Sequence, residues 1–322
     1  MDLKNKLSIL FLIIQFYSFS QNDYKEYHTC LNKIYELDSI SNDSLIIIYE
    51  KAFTLATPFA EDVFDLALFY FNSTQTGNLG KAESMLEKSV LLGYQLKPDL
   101  KFKNDLFPEI SYGYSFHLKD TTDQFTKFVS DFSLNKYDSL RAIYLQGCKK
   151  DIYFELLLAN ELYAQEVRLF SKGFLLKKKL NRDVFRPNAE LMLKLLESNL
   201  LPKRRESRRF NQHSIMMLCN HIIAGFKKES DAKRFLTLLW NKVEEGEVTP
   251  YEYVLAYEHY IAHFVNFHKS YYGNATTYIF GKKKVLKLIQ PKSVNERRKQ
   301  IWLTTLENYC KDYNLKLPAN YK

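Results

Sequence analysis

The sequence predicts a mainly all-α chain, and three observations predict it. Of 322 residues only 10 are glycine and 8 proline, about 3% and 2.5% where averages run near 7% and 5%. Turn-dense β-sandwiches and barrels need more of both. Hydrophobic residues make up 46% and aromatics 15%, enough to bury a core and to exclude wholesale disorder. Along most of the chain these residues recur at helical spacing.

The first twenty residues stand apart. Lys4 and Lys6 precede the apolar run Leu7 to Tyr17, which Ser18-Phe19-Ser20 follow. A short basic start, an apolar segment of roughly 7–15 residues and small residues at −3 and −1 describe a cleaved secretory signal. The run falls short of the roughly 20 residues that span a bilayer. The expectation is an exported chain beginning at Gln21, in the periplasm or outside the cell. Cys30, Cys148, Cys219 and Cys310 include no C-x-x-C pair, which argues against a redox motif or a clustered zinc site. Four cysteines allow three pairings; no disulfide is the expectation, with Cys30 and Cys219 read as small buried side chains.

Helical periodicity begins at Tyr24 to Leu37, with Tyr27, Leu31, Ile34 and Tyr35 on one side. Asn42-Asp43-Ser44 supply capping residues for a second helix ending near Pro58. A third spans about Ala60 to Phe71. A fourth runs from Leu79 to Leu92 and stops at Gly93. Short connections between helices of this length favour antiparallel hairpins. From Gln95 to Asp123 the periodicity is lost, and the stretch containing Pro98, Pro108 and Gly113 reads as irregular. The division expected is a signal over 1–20, a helical module over 21–120, a connection over 121–149 and a second domain over 150–322.

That second domain returns to helices over Ile152–Phe170, Asn188–Leu200, Gln212–Phe226 and Asp231–Glu245. Pro250 then opens a helix running to about Phe267. TTYIF, GKKK and VLKLI read as two β runs joined by a turn, and a last helix covers Val294 to Tyr313.

The third and fourth helices resemble a tetratricopeptide repeat. Val63, Leu66, Ala67 and Tyr70 stand at the spacing of its first helix, and Ala82, Leu86 and Ser89 match its second. Ala67 and Ala82 are fifteen residues apart where the repeat has twelve, so NSTQTGN carries an insertion. YEKAFTLATPF is similar to the second helix of a preceding repeat ending at Pro58. The resemblance covers about 35–95. Residues 150–315 resemble a bacterial domain family of unknown function, often found behind such repeats in exported proteins. The likeness rests on Ala164-Gln165-Glu166-Val167-Arg168, the stretch around Cys219-Asn220-His221 and Lys242 to Pro250. It continues with Tyr257-Glu258-His259, Tyr272-Gly273-Asn274 and Asn295-Glu296-Arg297-Arg298. Two positions depart: the family usually has an acidic residue where Ala164 stands and Asp where Glu258 stands. The resemblance implies architecture and candidate positions, not chemistry.

Few residues point to chemistry. His259 and His263 stand i, i+4 on a helix, so both rings can share a face and are the candidate metal pair. His221 is a candidate third contributor, whereas Glu258 points about 100° from His259. YEHYIAHF is not H-E-x-x-H. No G-x-S-x-G, G-x-G-x-x-G or G-x-x-x-x-G-K occurs, so neither a serine elbow nor a nucleotide cradle is written, and no cofactor is expected. If the chain is an enzyme, the candidate residues are His221, Glu258, His259, Tyr272 and Arg297.

Charge is unevenly spread. The formal net charge is +9, yet residues 151–322 hold 30 Lys+Arg against 18 Asp+Glu, and residues 1–150 hold 16 against 19. The basic clusters are Lys177-Lys178-Lys179, Lys203-Arg204-Arg205 with Arg208-Arg209, Lys282-Lys283-Lys284 and Arg297-Arg298-Lys299. Export makes nucleic acid an unsuitable partner. The leading expectation is a non-enzymatic interaction protein that binds a peptide or protein through stacked helical hairpins. The alternatives are a hydrolase-like or metal-dependent enzyme with its site in the C-terminal domain, and a binder of anionic envelope polymer or membrane surface.

Overall fold

The computed structural model of the chain describes residues 23–36, 40–94, 96, 123–148, 153, 156–157, 159–160, 179–204, 218, 221–279 and 282–321. The expected signal segment lies outside the described residues. So do the irregular stretch 97–122, most of the helix expected over 152–170, Ala164, Cys219-Asn220, Lys177-Lys178 and Arg205 with Arg208-Arg209. The fold is mainly α-helical, and among the described residues its short strands lie in one region of the C-terminal half. Among the described residues no helix is long and apolar enough to cross a membrane.

Four helices open the fold: α1 (Tyr24–Asn32), α2 (Asn42–Leu55), α3 (Ala60–Asn72) and α4 (Asn78–Leu91). Ser41, one residue before the expected caps, accepts from the Ser44 N–H and starts α2. A capping side chain satisfies one of the free amides of the first turn. Gly93 ends α4 with φ +106°, a left-handed conformation suited to glycine. Ala67 and Ala82 are both wholly buried where α3 and α4 meet, so the small side chains let the two axes approach as their spacing predicts.

The segment expected as a connection is itself helical. α5 (Asp123–Phe132) passes through a π turn at Ser133–Tyr137 into α6 (Asp138–Gly147). Phe125, Phe132 and Tyr137 pack with Phe64, Leu68, Leu86 and Val90 in one apolar cluster. Residues 123–147 therefore add a further layer to the N-terminal stack. The seven-residue spacing of Phe125 and Phe132 is two helical turns, a signal that the neighbouring irregular stretch conceals.

The C-terminal half builds its core from α7 (Arg186–Glu197), the helical residues 221–225, α8 (Glu229–Glu244) and α9 (Pro250–Tyr260). Met192, Leu195, Ile222, Phe235, Leu239 and Val254 fill it. Thr249 and Glu252 form a reciprocal capping box at the start of α9, with Pro250 in the first turn, where its missing N–H costs nothing. Beyond α9, β1 (Lys269–Ser270), β2 (Thr276–Ile279), β3 (Lys282–Val285) and β4 (Lys287–Leu288) follow. β2 and β3 make the expected antiparallel hairpin, with Thr276 opposite Val285 and Ile279 opposite Lys282. Lys282, Lys283 and Lys284 lie in the strand itself, not in the turn. β1 and β4 pair in parallel, Ser270 opposite Leu288.

The expected last helix is two, α10 (Val294–Gln300) and α11 (Leu306–Asp312). The chain turns between them because Arg298 C=O takes the N–H groups of both Ile301 and Leu303, and Trp302 sits at φ +60°. The Thr305 hydroxyl then caps α11. This break directs Trp302 toward α1, where its indole stacks on His28 with ring centroids 6.0 Å apart. The two halves also meet at Gly246. Its φ is +74°, and a Cβ there would lie 1.9 Å from the Tyr24 ring. Only glycine satisfies both the turn and the contact.

Candidate functional site

Sequence reasoning singled out His221, Glu258, His259, Tyr272 and Arg297, and the structure divides them into two groups. Glu258 is 4% exposed and lies beneath the loop 270–274. Its Oε1 accepts from Ser270 Oγ at 2.6 Å, Tyr272 N at 2.7 Å and Asn274 N at 3.3 Å, and its Oε2 accepts from Tyr271 N at 3.0 Å. Burial pushes the carboxyl up, and the four donors pull it back. Arg297 grips the same loop from its carbonyl side. Its Nη2 donates to Tyr271 O at 2.6 Å and Ile289 O at 2.7 Å, and its Nη1 to Gln290 O and Ser293 Oγ. Arg298, 1% exposed, donates to Tyr272 O at 2.8 Å, Asn274 Oδ1 at 2.6 Å and Thr304 O at 2.6 Å. The carboxylate takes the loop's N–H groups while the two guanidinium groups take its C=O groups. Such an arrangement satisfies a buried loop that makes no regular ladder. It holds Tyr272 and Glu258 in place and leaves the carboxylate engaged on both oxygens.

His221 and His259 form the second group. His221 stacks on Phe185 with centroids 4.7 Å apart. Burial, with the nearby His221 ring, pushes His259 down to about 4, so it is neutral at physiological pH. His263, on the π turn after α9, is exposed and packs edge-on against Phe264. Among the described residues no group of three His, Cys, Asp or Glu is placed to hold a metal ion. Among the described residues Cys30, Cys148 and Cys310 are in no disulfide.

A different site emerges between the modules. The face of α1 turned toward the C-terminal half meets the turn after α10 and α11. Asn32 Nδ2 donates to Trp302 O at 2.8 Å, and Asn308 Nδ2 to Tyr35 O at 3.3 Å. Arg204 crosses the same junction. Its Nη1 sits 3.0 Å from both oxygens of Glu252, its Nη2 is 3.2 Å from Glu61 Oε1, and its guanidinium lies over the Phe59 ring at 5.3 Å. These contacts border a cavity of about 120 Å³ that His28, Glu61, Asp62, Asp65, Arg204 and Trp302 help to line.

The electrostatics of this cavity are unusual. α3 begins Ala-Glu-Asp-Val-Phe-Asp, so Glu61, Asp62 and Asp65 fall on one side of its first turn and a half. Tyr27 donates its O–H to Asp62 Oδ2 at 2.5 Å, and Tyr49 donates weakly to Asp65 Oδ2 at 3.4 Å. Burial is the main cause that pushes Asp62 up to about 7, with Glu61 adding to it and Tyr27 and Arg204 opposing. Burial, with Asp62 and Glu61 nearby, drives Asp65 far above the usual carboxylate range. Desolvation pushes His28 down to about 3. Three polar atoms of this lining, His28 Nε2, Glu61 Oε2 and Asp65 Oδ1, are buried without a hydrogen-bond partner.

Sequence reasoning missed this site. Acidic residues in a first turn ordinarily complement the helix dipole, which hides Glu61 and Asp62. Asp65 was the available signal, because it interrupts the run Val63-Phe64 and Leu66-Ala67-Leu68 and is only 2% exposed.

A pH-dependent stability follows. Asp62 binds its proton more tightly in the fold than in the unfolded chain. That contribution is fully present below about pH 4 and is lost as pH rises through about 7. Asp62→Asn, whose amide oxygen can still accept from Tyr27, should therefore stabilise the chain on the order of 2 kcal/mol at pH 8 and leave it unchanged near pH 4. Thermal melts of both proteins across that range check it; an equal difference at both ends would refute the assignment.

No protein-family model, curated protein or solved structure matches the chain.

Proposed function

We propose that the protein is a non-enzymatic binding protein whose stacked hairpins and C-terminal half together hold a ligand in the cavity between them. One observation carries this reading: both halves wall the cavity, and it collects three buried polar atoms with unmet hydrogen-bonding capacity. Each such atom costs about 1–3 kcal/mol in desolvation. Folded chains keep few of them, and those retained call for a role. An extended peptide on this face of α1 would have to displace Trp302 and α11, so the cavity favours a small ligand over the peptide that hairpins alone suggest. The residues around Glu258 serve in this reading as fasteners of the wall that carries Arg298 and Trp302.

Trp302 lines the cavity, and the chain has only 2 tryptophans, so Trp240→Phe leaves Trp302 as the sole indole reporter. Titration of that variant with a set of neutral, anionic and cationic molecules of five or six non-hydrogen atoms should give a saturable change in Trp302 emission for at least one of them. The same molecule should raise the melting temperature of the unmodified chain. No response from any member of the set, in either measurement, would end the reading.

A further inference from the structure

We propose that the turn following α9, with the β1–β4 pair beside it, is a membrane-docking surface that seats the chain on a bilayer carrying anionic lipid headgroups. Its residues are Val265, Phe267, Lys269 and Lys287. The surface is separate from the cavity and adds a second interaction to the one proposed there.

The chain turns sharply after α9. Asn266 C=O accepts the Lys269 N–H at 3.2 Å and Asn266 Oδ1 accepts the His268 N–H at 3.0 Å, which leaves Phe267 and His268 at the two corners. Phe267 is 73% exposed and Val265 52%. Among the described residues Phe267 is the only exposed phenylalanine. A single apolar side chain on a surface needs no explanation. Here two stand in a span of three residues, and a basic pair adjoins them. Alternation along β1 turns Ser270 inward and Lys269 outward, and β4 repeats it with Leu288 and Lys287. The parallel register sets Lys269 opposite Lys287. Like charges opposed across a strand pair are destabilising. Among the described residues neither lysine forms an ion pair. Residues 259–295 hold six lysines and no aspartate or glutamate, and Glu258 just before them is turned inward beneath the loop 270–274.

An anionic bilayer answers both parts of this surface. Each lysine held near such a surface strengthens partition about fivefold, and apolar side chains enter the boundary between headgroups and acyl chains. Lysine stems can lie along apolar surface while the ammonium groups reach the phosphates. Other occupants use only part of it. A single-stranded nucleic acid would take up the lysines and stack a base on Phe267, yet Val265 has no ring to offer. An acidic polymer has nothing apolar to cover either side chain. A second copy in a symmetric contact would set the same lysines against one another. Lysines on a sheet edge also discourage edge pairing, a role that gives no reason to expose Val265 and Phe267 beside them.

The test mixes the full chain with vesicles of phosphatidylcholine containing about one-third phosphatidylglycerol, and with vesicles of phosphatidylcholine alone. The chain should sediment with the anionic vesicles and bind the neutral ones at least tenfold more weakly. Binding should fall as salt rises from about 0.1 M to about 1 M, which shortens the screening length from roughly 10 Å to 3 Å. Phe267→Ala should weaken binding at least tenfold, and Lys269→Gln with Lys287→Gln about twentyfold. All three positions are exposed, so the melting temperatures of these variants should match the parent's. The apolar run Leu7 to Tyr17 is a second route to lipid, so the contact is also read locally. Phe267→Trp should add emission that shifts to the blue on anionic vesicles and is quenched by lipids brominated in the acyl chain. The parent, with its 2 native tryptophans, should show neither change. Sedimentation with unchanged Phe267→Trp emission would overturn the docking surface, as would equal binding to both kinds of vesicle or binding to neither. A single-stranded oligonucleotide bound more tightly than the anionic vesicles would overturn it too, and would assign the lysines to nucleic acid.

Discussion

Arg204→Met should cost about 3–5 kcal/mol of stability, the loss seen when one partner of a buried ion pair is removed. Glu252 is wholly buried, and both of its oxygens lie 3.0 Å from Arg204 Nη1. Methionine retains the apolar stem over Phe59 and removes the charge, so Glu252 is left ionised in a dry site or must take up a proton. Burial already pushes Glu252 up, and Arg204 is the chief influence holding it down. The loss should therefore grow as pH rises from 5 to 8, because the unpaired carboxyl must then be ionised at increasing cost. The capping box should survive, since Thr249 N still donates to Glu252 Oε2 at 2.7 Å. Urea unfolding of Arg204→Met, Glu252→Gln and the double variant would separate the pair from its surroundings. The double variant should recover a large part of the loss, since neither charge is then stranded. A single-variant loss under about 1 kcal/mol would show that the pair does not hold this junction. Arg204 also reaches Glu61 on α3, so Arg204→Met in the Trp240→Phe background should loosen the contact between the halves, read as a red shift of Trp302 emission below the unfolding transition.

Glu258→Ala should be nearly as damaging, at about 3 kcal/mol or more, because it strands three backbone N–H groups and the Ser270 hydroxyl. Glu258→Gln separates charge from shape. With its amide oxygen in the Oε1 position it keeps Ser270, Tyr272 and Asn274, while its NH₂ faces the Tyr271 N–H. A loss of about 1–2 kcal/mol is expected for Gln. Chemical denaturation gives both values. If Glu258→Ala folds within about 0.5 kcal/mol of the parent, the carboxylate does not fasten the loop.

The elements on either side of this loop show how much was legible in the sequence. α3 and α4 announce themselves through apolar spacing, Gly93 and the paired alanines, all local signals. The hairpin β2–β3 and the Pro250 start of α9 are equally local. The break between α10 and α11 is not. VNERRKQIWLTTLENYC has continuous helical periodicity, yet the chain turns where Arg298 C=O takes the N–H groups of Ile301 and Leu303, with the Arg298 guanidinium fixed by Thr304 O and by Tyr272 O and Asn274 Oδ1, and the partners at 272 and 274 lie outside the segment. The candidate residues divide in the same way. Glu258, Tyr272 and Arg297 were identified from a family likeness and do come together, but around the peptide groups of 270–274. The acidic side chains of α3 face a cavity that sequence reading did not anticipate.

By itself the sequence determined the helical class, the order of most elements and the separation of a mildly acidic first half from a basic second half. Helical period, caps and glycines act within a few residues, so they can be read in any window of the chain. Tertiary structure decided where the charges go. It buried Arg204 with Glu252, turned Asp62 and Asp65 toward a cavity between the halves and set Trp302 against His28, across sequence separations from about fifty to more than two hundred residues. Desolvation and hydrogen-bond partners exist only once those distant segments meet, and they make the Glu61-Asp62-Asp65 turn something other than an ordinary acidic helix start.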